Sequence, residues 1–263
     1  MAQILDGKAL SKTIRDEIAA EAAALAAKGV TPRLSVLLVG SDPASVTYTR
    51  MKQKACEKAG MKSDLIVFPE AAEQKDIEKK IDELNGDPSV HGIMVQHPVP
   101  RHLDELAILS RVSPEKDVDG ISSASLGNLV LGKADFVSCT PLGIVTMLER
   151  YGIPIQGKRA VVAGRSIILG KPAALALLER NATVTVCHSR TENLPEIISE
   201  ADIVVAAIGK PEFIKGSWIK QGAVVVDAGY NKVEGRDHDV GDVEFDEAAK
   251  RASWITPVPG GVG

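Results

Sequence analysis

The stretch Ala160–Leu178, AVVAGRSIILGKPAALALL, passes from a short apolar run through a turn bounded by Gly164 and Gly170 into an apolar helical segment. Strand, glycine turn and helix in that order form the setting in which backbone amides cradle a phosphate. Neither common glycine pattern fits. A Walker A loop needs four residues between its glycines, then Lys and Ser or Thr; here five residues separate Gly164 from Gly170, and Pro172 follows Lys171. A dinucleotide fingerprint beginning at Gly164 would want glycines where Ser166 and Leu169 stand. The context still reads as a Rossmann-type βαβ unit, because a second strand, ATVTVC at 182–187, follows at the expected distance. The alternative is a βα turn whose glycines serve geometry alone.

The end of the second strand bears on which nucleotide would bind. NAD sites usually carry an Asp or Glu there to accept from the ribose 2′-hydroxyl, whereas this chain has His188, Ser189 and Arg190. With no carboxylate to repel a 2′-phosphate, and with Arg165 and Arg190 able to fork onto one, the residues favour NADP over NAD. Two solvated surface arginines are the competing reading.

Outward from this turn, apolar runs alternate with amphipathic segments. RLSVLLVG, SDLIVF and HGIMVQ read as strands, with helices near 8–28, 43–59 and 73–85. A second set comprises KRAVVAG, ATVTVC, DIVVAAIG and AVVVDAG, with helices near 170–180 and 193–200. The expected class is α/β with parallel sheets, in two domains: residues 1–140, and a Rossmann-like domain over 141–263. A turn-rich, irregular stretch from Ser113 to Cys139 precedes the boundary, in the helix-like TPLGIVTMLERYG.

Composition narrows the partners. A net charge of -4 from 31 basic and 35 acidic residues, mixed along the chain, with 3% aromatics, argues against nucleic acid. Cys56, Cys139 and Cys187 are odd in number and far apart, so neither a disulfide framework nor a zinc cluster is expected, and a cytoplasmic setting fits best. The N-terminal segment has charges throughout and no apolar run suited to a signal peptide or membrane span.

In the first half, VGSDPASVTYTRMKQKACEKAG has Ser41 or Asp42 to cap a helix, Pro43 for its first turn and Gly60 to stop it. Tyr48 and Lys52 are four apart and share a face. Such a lysine suits acid/base work if desolvation lowers its pKa; the plainer reading is a surface lysine beside a half-buried tyrosine. GIMVQHPVP places Gln96 at the carboxyl end of a strand, where ligands of open sheets collect. PEKDVDGI sets Asp117 and Asp119 in a turn, the usual place for an Asx-type carboxylate.

Together these segments resemble the bifunctional methylenetetrahydrofolate dehydrogenase/methenyltetrahydrofolate cyclohydrolase family. The matching motifs are VGSDPASVTYTRMKQKA, GIMVQHPVP, PEKDVDGI, CTPLGI, GRSIILGKP, KGSWIKQGAVVVDAG, VGDV and ITPVPGGVG, in family order from about Leu34 onward. The resemblance implies two domains flanking a cleft, NADP on the second and a tetrahydrofolate derivative against the first, and a homodimer through the second domain. It implies oxidation of 5,10-methylenetetrahydrofolate to the methenyl cation and hydrolysis to 10-formyltetrahydrofolate, with no metal, since the methenyl carbon is already electrophilic. Alternatives on the same fold are a dehydrogenase or a cyclohydrolase alone, and outside it a nonenzymatic NADP sensor. By resemblance Lys52 is the general acid/base, Gln96 tunes it, Tyr48 stacks on the folate and Asp119 holds the pterin, with Ser45 supporting. Pro259, Gly260 and Gly261 border the substrate. Gly164, Arg165, Ser166 and Ile168 serve the cofactor's phosphate and ribose, and Ser189 and Arg190 its 2′-phosphate. The sequence departs from the family pattern at His97, commonly leucine, and at Tyr230, commonly isoleucine. It stops at PVPGGVG, where the family continues into a C-terminal helix; a protein truly without that helix would have a substrate cleft short of one wall.

Overall fold

The computed structural model describes residues 1–263, the side chain of Ala44 excepted. The chain runs through β1 (Gln3–Ile4), α1 (Gly7–Ala26), β2 (Arg33–Val39), α2 (Pro43–Lys58), β3 (Lys62–Phe68), α3 (Gln74–Gly86), β4 (Gly92–Val95), α4 (Glu105–Arg111), α5 (Ser123–Val130) and α6 (Cys139–Arg150). It continues with β5 (Arg159–Ala163), α7 (Gly170–Glu179), β6 (Thr183–Cys187), α8 (Leu194–Ser199), β7 (Ile203–Ala206), β8 (Val224–Asp227), α9 (Phe245–Ala249) and β9 (Trp254–Ile255). Two compact units result: Lys12–Val137, and Met1–Ser11 together with Ser138–Gly263.

In the unit Lys12–Val137, the parallel sheet has the order β3-β2-β4. Side chains alternate across a strand, so Leu37, Val39, Ile93 and Val95 enter one core with Ile77, Ile81 and Leu84 of α3 and Ile108 and Leu109 of α4. Val36 and Met94, paired across the sheet, point to the other face. α2 packs against β2 and β3 and starts where expected: the Asp42 carboxylate accepts the Ser45 N–H at 2.8 Å and Pro43 opens the first turn. The stretch expected to be irregular contains α5, capped by the Ser122 hydroxyl, which accepts the Ser125 N–H at 3.1 Å. Serines at a cap look like loop in sequence and become helix only once Ser125 and Leu129 are buried.

The other unit holds a six-stranded, fully parallel sheet of order β1-β9-β8-β7-β5-β6. Its inner strands are buried on both faces: Val162, Val205 and Val226 on one side, Val161, Val204 and Val225 on the other. An expected boundary after residue 140 leaves out a crossing of the N-terminus: Gln3 and Ile4 pair with Trp254 and Ile255, which brings residues 1–11 into this unit. A two-residue strand has no period to detect.

The chain leaves β5 through α7 to β6, then returns through α8 to β7 on the other side of β5. The ends of β5 and β7 therefore form the switch point where open sheets bind ligands. Gly164 sits there with φ +142°, and a Cβ on it would lie 2.1 Å from the Ala207 carbonyl oxygen. A Cβ on Gly170 would lie 2.4 Å from the Gly164 carbonyl oxygen. Both glycines are demanded by close backbone approach, and their spacing sets the turn between them. Gly164→Ala is expected to cost about 2–4 kcal/mol through overpacking and backbone strain; a urea transition followed by Trp218 and Trp254 fluorescence with an unchanged midpoint would contradict this.

Candidate active site

In the unit Lys12–Val137, the expected residues Lys52 and Gln96 meet. Lys52, on α2, directs Nζ to Gln96 Oε1 at 3.3 Å, and the Gln96 amide is oriented by donating Nε2–H to the His97 carbonyl at 2.8 Å. Nζ also approaches Met94 Sδ at 3.2 Å. Lys52 itself is exposed, so burial by the protein does not supply the desolvation expected from the sequence. What surrounds the amine instead is a pair of neutral acceptors. Tyr48, one helical turn earlier, presents an exposed ring, and Ser45 is buried on the same helix.

Asp119 is half-buried in the loop after β4. Burial raises its carboxyl above the ordinary range, and the charges of Lys52 and His97 pull it back down, with Asp117 opposing them. Asp117 has a different part: it is buried, and its carboxylate accepts the N–H groups of Gly120 at 3.0 Å and Ser122 at 2.9 Å. That is the Asx-type role the sequence allowed. The loop is anchored from below by Lys116, whose ammonium donates to the carbonyls of Leu84, Asn85 and Asp87 at the end of α3. Gly92 leaves room for Val118, since a Cβ there would fall 2.6 Å from Val118 Cγ1.

In the other unit the glycine turn opens on a cavity of ≈ 600 Å³ bordered by Gly164, Arg165, Ser166, Ser189 and Lys210, with Phe213 and Trp218 on its wall. The Ser166 hydroxyl accepts the N–H groups of Leu169 at 3.2 Å and Gly170 at 3.3 Å, and its carbonyl accepts Lys171 N–H at 3.0 Å. The first turn of α7 is thus satisfied by Ser166, and Pro172 has no N–H to give. The amides of Arg165, Ser166, Ile167 and Ile168 have no acceptor among the described residues. Five residues between the glycines therefore place the free amides ahead of the helix. Arg165 and Arg190 are exposed, and neither guanidinium has a partner among the described residues. Ile168 is exposed and its carbonyl accepts from the Ser138 hydroxyl at 2.9 Å, away from the cavity lining. Pro259, Gly260 and Gly261 lie in this same unit, where the Gly260 carbonyl accepts the N–H groups of Gly7 and Lys8 and so caps α1.

Sequence reasoning missed a pair of buried carboxylates, one of which holds a turn that borders this cavity. Asp242 accepts from the N–H groups of Ile208, Gly209 and Lys210 at 2.6, 2.9 and 2.9 Å, holding the turn after β7. Asp227, at the end of β8, accepts from Gly229, Asp242 and Val243. VGDV was visible as a motif, but an aspartate beside glycine reads as a turn until its partners, far apart in sequence, are known.

Comparison with known proteins places the chain in a family. Residues 5–119 match the family model "Tetrahydrofolate dehydrogenase/cyclohydrolase, catalytic domain", and residues 138–263 its NAD(P)-binding domain. The chain belongs to the tetrahydrofolate dehydrogenase/cyclohydrolase family. Among its relatives, the bifunctional protein FolD of Shouchella clausii is 55% identical over 99% of this chain and 91% of its own. The solved structure of the FolD methylenetetrahydrofolate dehydrogenase/cyclohydrolase of Campylobacter jejuni is similar at a TM-score of 0.97, with 44% identity over 100% of this chain and 93% of that one. The Trypanosoma brucei enzyme, solved with NADP cofactor and inhibitor, gives 0.91 and 40%, over 99% and 92%. Described helices include none long and apolar enough to cross a membrane, and no disulfide joins the described cysteines.

Burial raises the Asp227 carboxyl to about 6, against the pull of its three amide donors. The folded state then holds this proton more tightly than the unfolded chain, so the stabilisation is present in acid and is lost as pH rises from 3.8 through about 6. Over that window the group is worth about 3 kcal/mol. Urea midpoints should accordingly show wild type gaining stability between pH 7 and pH 5 relative to Asp227→Asn; parallel pH profiles for the two proteins would refute the assignment.

Proposed function

We propose that the protein oxidises 5,10-methylenetetrahydrofolate to the 5,10-methenyl cation with NADP and hydrolyses that cation to 10-formyltetrahydrofolate. The observation that carries this reading is the meeting of Lys52 with the neutral acceptors Gln96 and Met94, with half-buried Asp119 in electrostatic reach. An amine held without a carboxylate partner is free to pass protons instead of being locked in an ion pair. Among the described residues no carboxylate lies within ion-pair distance of it.

In this reading Asp119 accepts from the amino and amide donors of the pterin, for which it must be ionised, and the exposed Tyr48 ring stacks on the folate. Gln96 orients the Lys52 amine, which takes the proton from attacking water and returns it as the ring opens. In the other unit the cavity and the free amides of Arg165–Ile168 suit the cofactor's phosphates and ribose, with Gly164 giving close approach. The unpartnered Arg165 and Arg190, with Ser189, suit a 2′-phosphate. Bound there, NADP accepts the hydride; the chain's task is to hold it in place.

Cysteines without a disulfide support a cytoplasmic setting. β6 is an edge strand with half of its backbone groups unpaired in the sheet, which supports a homodimer through this unit; sedimentation at a monomer's mass would exclude one.

The test is a spectrophotometric assay with methylenetetrahydrofolate and NADP, followed by decay of the methenyl absorbance. Lys52→Met is expected to reduce hydrolysis to a small residual rate while NADP binding persists; wild-type hydrolysis in that variant would remove Lys52 from its role. Arg165→Ala with Arg190→Ala should lower kcat/KM for NADP by about 10²-fold or more, as expected for loss of charge-assisted phosphate contacts, and leave the value for NAD nearly unchanged. Equal losses with both cofactors would count against these arginines as 2′-phosphate ligands.

A further inference from the structure

The Lys52 amine has two neighbours in the chain, and only one, Gln96, was legible as a functional residue. The other is Met94, 4% exposed, on the face of β4 turned away from the core formed with α3 and α4. Strand alternation puts position 94 on the side of the sheet that α2 occupies, and Sδ comes to 3.2 Å from Nζ. We propose that Met94 is a positioning residue for the hydrolytic step, its thioether and the Gln96 amide oxygen together aiming the Lys52 amine at the substrate. The proposal rests on the reading of Lys52 as the acid/base given above.

Three physical points support it. The neutral amine has two N–H donors, which the thioether and the amide engage, leaving its lone pair for the proton of water; the ammonium so formed has a third donor to return that proton to the substrate. Lysine's four-carbon stem is flexible, and a second tether confines the amine where one alone would let it swing. Sulfur is also a weak, uncharged and polarizable acceptor on a side chain with three rotatable bonds, so it can follow the amine through loss and gain of a proton without trapping the charged form as a carboxylate would. A leucine of similar volume would fill the space and lose the acceptor.

Met94→Leu, with Met94→Ile as a second sulfur-free variant should Leu disturb the fold, is therefore measured for hydrolysis of methenyltetrahydrofolate, each alone and in the Lys52→Met background. The expected result is a kcat lowered about 3- to 10-fold, the scale of one lost neutral hydrogen bond, with KM within about twofold, as expected for an interaction that acts after substrate binding. Residual hydrolysis in the Lys52→Met background should not fall further, since there is no amine left to aim. A wild-type kcat in both sulfur-free variants, or an equal fractional loss with and without Lys52, would overturn the role of Met94 while leaving Lys52 in place. Wild-type hydrolysis by Lys52→Met alone would instead overturn the Lys52 reading and this one with it.

Discussion

Close approach of backbone to backbone at Gly164 governs the unit that carries the cavity. The end of β5, the start of α7 and the residue after β7 converge where no side chain can stand: a Cβ on Gly164 would meet Ala207, and a Cβ on Gly170 would meet Gly164 and the Arg165 amide. Because β5 and β7 are neighbours although β6 lies between them in sequence, this convergence is also the topological switch point. The start of α7 and the run of free amides at Arg165–Ile168 lie at this convergence. Asp242 completes the arrangement by gathering three amides of the turn after β7. Asp227, held by Asp242 and Val243 amides, then ties that carboxylate's segment to the end of β8.

A different principle operates around Lys52. Here the protein withholds a counter-ion and offers an amide oxygen and a thioether, both neutral. An ion pair would stabilise the ammonium and spoil it for proton exchange; neutral acceptors orient it and leave its proton available. Asp119 shows the complementary balance, with burial favouring the acid and the nearby charges of Lys52 and His97 favouring the carboxylate. Lys52 thus acts on the Asp119 carboxyl through its charge, with no ion pair between the two among the described residues.

Much of this was legible. Seven long strands and the helices beside them follow from apolar runs and period, because strands buried on both faces are nearly continuous in Val, Ile, Leu and Ala. The cap at Asp42 and the stop at Gly60 were local features with local causes. The shared face of Tyr48 and Lys52 needed only helical spacing. What escaped was short or non-local: β1 and β9, two residues each, the helix α5 inside a serine-rich stretch, and the contact between Met94 and Lys52, 42 positions apart.

By itself, then, the sequence determined the α/β class, the order of the seven main strands, the glycine turn with its unusual interval, and the family to which the motifs belong. These depend on periodicity, caps and backbone freedom, all properties of neighbours along the chain. Tertiary structure alone decided that residues 1–11 join the C-terminal sheet, that Ser166 satisfies the first turn of α7, that Asp227 and Asp242 are buried together, and that a methionine faces the lysine amine. The reason is the same in each case. Hydrogen-bond partners and burial are set by which strands lie side by side and which face a side chain takes, and neither is written in the spacing of residues along one segment.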